Sequence, residues 1–199
     1  MKATDFNFSR DIKFDIENGI TSFKNSRILI FSASSIGLLR QSLLDEIGIE
    51  KTRKIILQFG YECGFADFQQ IKRNYKFDNE MELLASGPVI HTWEGIVHAK
   101  PTYIEMDKEK NIFKFRGVWS NSYEAEQYLS FNFQSKDPVC WSLMGYASGW
   151  CTAFWGKPLV AIEPVCMGMG DSRCEWDIRP PEDWGDEALI YIDALKKFW

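Results

Sequence analysis

Twelve residues, EPVCMGMGDSRC (163–174), hold a glutamate, two cysteines and two glycines, and constrain this chain more than any other stretch. The flanking segments KPLVAIEPVC (157–166) and CEWDIRP (174–180) read as two strands, with the glycine-rich loop between them. A hairpin of that form brings Cys166 and Cys174 to the two rims of one loop, because cross-strand neighbours have Cβ atoms about 5 Å apart. Glu163 lies three residues before Cys166 and just ahead of Pro164, where the strand turns and a carboxylate can point to the same centre. Inert buried thiols, a disulfide and half of a metal site are all compatible with this segment.

The fourth ligand of a metal site has two candidates, Cys140 and Cys151, in DPVCWSLMGYASGWCTAFWG (137–156). This segment reads as a helix with Asp137 at the N-cap, Pro138 at the first helical position and Gly156 at the end. Eleven residues of helix separate the two cysteines by roughly 16 Å, whereas thiolates on one zinc each sit about 2.3 Å from the ion. Only one of them can be a ligand. Cys140, in the first turn, is favoured, because free N–H groups and the positive dipole end stabilise a thiolate there. Three thiolates and a carboxylate would make a closed four-coordinate set of the structural kind, and soft sulfur selects zinc over magnesium or calcium. Spacing alone leaves inert burial open.

The chain has five cysteines, an odd number, and only two histidines, which excludes a histidine-rich metal centre. A net charge of −5 offers no overall attraction to phosphate backbones or anionic membranes, so no direct nucleic-acid contact and no membrane partner are expected. No apolar run has the length of a membrane span, and the N-terminal residues do not read as a signal peptide; the expected location is the cytoplasm.

Residues 1–26 show no clear period and read as an arm or an irregular strand. RILIF (27–31) reads as a short strand followed by two helical patterns with a break at Gly48. PVIHTWEGIVHAKPTYIEMDKEKNIFKFRGVWSNSYEAEQYLSF (88–131) alternates apolar and polar residues around the turn DKEKN and predicts a meander of half-buried antiparallel strands. GYECGF (60–65) and GYASGW (145–150) echo each other, and glycines four apart predict close helix contacts. The tail ALIYIDALKKFW reads as a helix, either a linker or a docking helix. The fold class is α+β: an antiparallel sheet covered by helices, with one structural zinc. Phosphate-binding loops, nucleophile elbows and zinc-protease motifs are absent from the sequence, which argues against an enzyme.

RILIFSASSIGLLRQSLLDEIG, FGYECGFADFQ, GPVIHTWEGIV, SYEAEQYL, DPVCWSLMGYASGW and EPVCMGMGDSRC, in this order, resemble the sensor region of XylR/DmpR-type aromatic-responsive transcriptional activators over about residues 10–180. The resemblance implies a cytosolic sensor that binds a phenol or another small aromatic effector and relieves repression of an adjoining AAA+ ATPase domain absent from this sequence. It also implies a homodimer. The implied organisation is an N-terminal arm and dimerisation element (1–26), a sensor part with the effector pocket (27–135), a 4-vinyl reductase-like zinc-binding part (136–180) and the start of a linker helix (181–199). The family's zinc ligands fall on Cys140, Glu163, Cys166 and Cys174, and its phenol-recognising pair falls on His91 and Trp119.

Trp119 belongs to an alternating strand, so Gly117 shares its inward face. The resemblance implies a bulky aromatic at that position, and glycine there predicts room for a larger ring. Tyr146 and Trp150 are expected to wall the pocket. The alternative is a stand-alone 4-vinyl reductase-like protein or enzyme acting on a hydrophobic small molecule.

Overall fold

Two pairs of glycines set the central contact of the molecule. The computed structural model describes residues 1–132 and 134–199. A long helical segment, α2 (Ala33–Asn74), packs along α5 (Trp141–Trp155). A Cβ on Gly60 or Gly64 would collide with the carbonyl oxygens of Ser142 or Tyr146, and one on Gly145 or Gly149 would collide with those of Leu57 or Tyr61. The two echoed motifs therefore face each other, each helix using its glycines to admit the other's backbone. Gly64→Ala is expected to destabilise the protein by about 1–3 kcal/mol through overpacking, read as a lower midpoint in urea unfolding. Gly48, at φ 77° and ψ 169°, breaks α2 into two helices at the expected place. That conformation is open to glycine and strained for other residues.

The fold is α+β, as the sequence predicts. A four-stranded antiparallel sheet has the order β4–β5–β7–β6, from β4 (His98–Asp107), β5 (Ile112–Ser120), β6 (Val160–Val165) and β7 (Cys174–Arg179). Phe113, Phe115, Gly117 and Trp119 are buried on alternate positions of β5 and face the core. The expected hairpin on either side of the glycine-rich loop is β6–β7, and the turn DKEKN joins β4 to β5. No helix among the described residues is long and apolar enough to cross a membrane.

Several local expectations are corrected. The meander shrinks to one hairpin, because both of its ends are helical: α3 (Glu80–Trp93) carries His91, and α4 (Tyr123–Phe131) carries YEAEQYLSF. Side-chain caps decide both cases. Asn79 accepts the Glu82 N–H, and Ser122 accepts the Ala125 N–H, so each helix starts where an alternating pattern suggested a strand. Residues 1–26 are not a loose arm. They form a short helix, α1 (Phe8–Asp11), and a three-stranded sheet of β1 (Ile12–Asp15), β2 (Ile20–Phe23) and β3 (Ser26–Ile28). Phe6 and Phe8 pack on Phe23, and Phe6 on Tyr75 at the end of α2. Strands of three or four residues are too short to show a period.

β3 ends at Ile28 because β2 offers it only three partners, and Leu29, Ile30 and Phe31 remain exposed outside the sheet. The helix expected from Asp137 begins at Trp141, with Cys140 as its N-cap at φ −83° and ψ 59°. The Cys140 N–H donates to the Glu163 carboxylate at 3.2 Å, which holds the chain out of helical geometry until that point. The tail forms α6 (Leu189–Leu195), docked on α2: Gln58 donates to the Ala194 carbonyl at 2.6 Å, and Phe198 stacks on Tyr61 at 4.6 Å.

Candidate functional site

The hairpin and the start of α5 bring four side chains to one point. Ligand atoms of Cys140, Glu163, Cys166 and Cys174 all lie within 4.8 Å of one another, and all four residues are fully buried. Cys140 is delivered by the N-cap of α5, Glu163 by β6, Cys166 by the end of the turn after β6, and Cys174 by the first position of β7. The Cys140 and Cys174 sulfurs are 3.9 Å apart. Thiolates at about 2.3 Å from a tetrahedral ion would be separated by roughly 3.8 Å, so this spacing fits a shared cation.

The donor set passes a second test. Burial pushes the Glu163 carboxyl and the Cys140 thiol well above their ordinary ranges, and Glu163 Oε1 is buried with no hydrogen-bond partner among the described residues. A cation would satisfy that oxygen and stabilise the deprotonated sulfurs together. The residues can therefore hold a metal ion. Cys151 takes no part: it is buried on the wall of a separate cavity, where burial pushes its thiol up. Ser122, which the sequence reading did not single out, places its hydroxyl 3.1 Å from the Cys140 sulfur while capping α4. Its only local signal is the cap position itself.

The cavity lies between α3, α5 and the inner face of the sheet. It encloses about 370 Å³ of space between atoms, of which the centres of water-sized spheres can reach about 30 Å³. His91, Trp119, Tyr146 and Trp150 all line it, together with Phe115, Trp176 and Ile178. His91 comes from the last turn of α3, and its ring centre is 4.0 Å from that of Tyr146. Burial pulls its pKa down to about 3, so the imidazole is neutral at neutral pH. The Tyr146 hydroxyl donates to Asp67 at 3.1 Å, and Trp150 Nε1 donates to the Leu84 carbonyl at 3.3 Å. Both side chains are held by partners outside the cavity.

Gly117 shares the inward face of β5 with Trp119 but does not line this cavity. The room expected above it is filled. A Cβ on Gly117 would collide with the Trp176 indole, which leans over from the directly opposed position on β7. The missing aromatic of β5 is thus replaced by one from the neighbouring strand, and the extra space for a larger ring is not there. Trp176 follows Cys174 by two positions, a same-face spacing that could have marked it as an inward residue.

Metal cluster and cavity are built from the same elements. β7 carries Cys174 and Trp176, Trp119 is the cross-strand partner of Cys174, and α5 runs from Cys140 past Tyr146 to Trp150. Beside them lies a buried ion pair. Glu124 of α4 accepts N–H bonds from Ser142 at 3.0 Å and Leu143 at 3.3 Å in the first turn of α5, and Arg40 donates to it at 3.3 Å. The Arg40 guanidinium sits 3.9 Å from the Trp141 ring centre. Burial raises the Glu124 carboxyl, while Arg40 and the helix N–H groups pull it down.

Comparisons with known proteins match this architecture along nearly the whole chain. The family model described as activator of aromatic catabolism matches residues 7–107, and the model of the 4-vinyl reductase domain matches residues 119–180. The chain is 31% identical over 183 residues to the phenol regulator MopR of Acinetobacter guillouiae, covering 91% of this chain and 33% of that protein. It is 27% identical over 191 residues to the transcriptional regulatory protein XylR of Pseudomonas putida, covering 94% and 34%. The chain thus spans about a third of the length of these curated relatives. The crystal structure of the phenol-responsive sensory domain of the transcription activator PoxR with phenol superposes with a TM-score of 0.86 at 26% identity, covering 95% of this chain and 94% of that one. This chain belongs to the family of activators of aromatic catabolism, as a sensor domain of the XylR/DmpR type.

Proposed function

We propose that this chain is the effector-binding sensor of a cytoplasmic transcriptional activator, that it takes a phenol or a similarly small aromatic ring into its cavity, and that binding relieves repression of an AAA+ ATPase domain. The observation that carries the reading is the presence of His91 and Trp119 on the wall of one apolar cavity lined by aromatic rings. A phenol hydroxyl offers one donor and two acceptor lone pairs. Trp119 Nε1–H can only donate and would bind its oxygen, while a neutral His91 keeps a lone pair free to accept its proton. Relatives whose names specify phenol, or regulation of transcription, support the same effector class and a regulatory role rather than an enzymatic one.

Zinc is the metal this reading assigns to Cys140, Glu163, Cys166 and Cys174, since three sulfurs and a carboxylate suit that ion. When bound, it supplies a closed structural cross-link and no open coordination position. The residues themselves join the start of α5 to the β6–β7 hairpin, so the ion would brace two walls of the cavity. The chain is expected to act as a homodimer, and the exposed apolar side chains of Leu29, Ile30 and Phe31 suit a surface covered by a second copy.

Isothermal calorimetry with phenol tests the site. His91→Ala and Trp119→Ala are each expected to weaken affinity by about tenfold or more, with circular dichroism and metal content unchanged. Unchanged affinity in both variants would reject these contacts.

A further inference from the structure

Three tryptophans line the cavity, and the indole of Trp176 differs from that of Trp150 in one respect. Trp150 Nε1 is paired with a backbone carbonyl. Trp176 is 3% exposed, and its Nε1 is buried with no hydrogen-bond partner among the described residues. Buried N–H donors are rarely left unpaired, because the lost hydration is not replaced. The ring is also wedged in place. Its centre lies 4.7 Å from that of Phe115, nearly perpendicular, and 6.2 Å from that of Trp119. Beneath it, Gly117 is the residue that allows it to lie across β5, since any side chain there would meet the indole and the Lys100 carbonyl oxygen.

We infer that Trp176 is a specificity-determining residue of the cavity: its indole N–H binds an acceptor atom on the ring substituent of the effector, so that the chain selects hydroxylated rings carrying a second acceptor group. The inference rests on the cavity being the effector site proposed above and adds a second polar anchor to it. His91 and Trp119 hold one hydroxyl; Trp176, from the adjacent strand, holds the other group. A phenol without that group leaves the indole donor unpaired. Replacing a β5 aromatic by a β7 tryptophan thus changes the character of the wall from apolar to one with a hydrogen-bond donor.

The test compares phenol, the three methylphenols and the three benzenediols by calorimetry on the 199-residue chain and on Trp176→Phe. Methyl and hydroxyl groups have similar size, and only the hydroxyl accepts a hydrogen bond. In the wild type, at least one benzenediol is expected to bind about tenfold tighter than the methylphenol with the same substitution pattern. In Trp176→Phe that ratio should fall to near one, while phenol affinity shifts by less than about threefold. A crystal structure of the wild type with the preferred diol is expected to place its second oxygen within hydrogen-bond distance of Trp176 Nε1, a readout that does not depend on the variant folding. The inference is overturned if phenol binds but no diol is preferred, if the preference survives in Trp176→Phe, or if the second oxygen bonds elsewhere. Failure of every ring, phenol included, to bind the wild type would instead reject the cavity as the effector site.

Discussion

Replacing Cys174 by serine is expected to reduce bound metal from one ion per chain to none and to lower the melting temperature by roughly 10 °C or more. The cluster joins three separate places in the chain, the start of α5, the end of β6 and the start of β7. Without the ion, a carboxylate and three sulfurs must be neutralised by protons in a fully buried space, where Glu163 Oε1 then has no partner among the described residues. Because Trp119 pairs with Cys174 across the sheet and Trp176 follows two residues later, affinity for phenol should fall together with metal content. Metal analysis, thermal melting and calorimetry on the same preparation check this. A Cys174→Ser protein that retains one zinc per chain would remove the cluster as the site of binding. The matching substitution Cys151→Ser should keep the full metal complement, since that thiol lies on the cavity wall.

Glu124→Ala is expected to cost about 3–5 kcal/mol, a large share of the roughly 5–15 kcal/mol that typically holds a domain folded. The loss has two parts. Arg40, 5% exposed and already holding two donors without partners among the described residues, would become a buried charge without its counter-ion. The N–H groups of Ser142 and Leu143 in the first turn of α5 would lose their acceptor as well. Urea unfolding of Glu124→Ala measures the sum. Pairing it with Arg40→Met separates the parts: if the double variant is more stable than Glu124→Ala alone, the stranded guanidinium accounts for most of the cost. Equal stability of wild type and Glu124→Ala would mean that the pair contributes nothing. These residues border Cys140, so the same variant should also weaken metal retention.

What could be read along the chain was whatever depends on spacing between neighbours. Cys166 and Cys174 come together because a short loop joins two adjacent strands, and the rise of a helix separates Cys140 from Cys151 whatever surrounds them. The helix break at Gly48 and the two glycine pairs are similarly local, because absence of a Cβ acts on the backbone at that position. His91 was read as a strand residue and sits on a helix, because its setting depends on the Asn79 cap twelve positions earlier and on packing against Tyr146. Alternation across residues 88–131 misled for the same reason: a buried Glu124 counts as polar in any pattern, yet here it is satisfied by α5 and Arg40.

The sequence by itself determined the class of fold, the close approach of α2 to α5 and a metal-competent set of side chains, since each follows from covalent geometry and short-range sterics. The tertiary structure alone decided which face of each element looks into the cavity and what fills it. Gly117 and Trp176 are 59 positions apart, and nothing near either one says that an indole will take the place of a missing side chain. Cross-strand register makes them neighbours, and register is set by the packing of the whole sheet against α3 and α5.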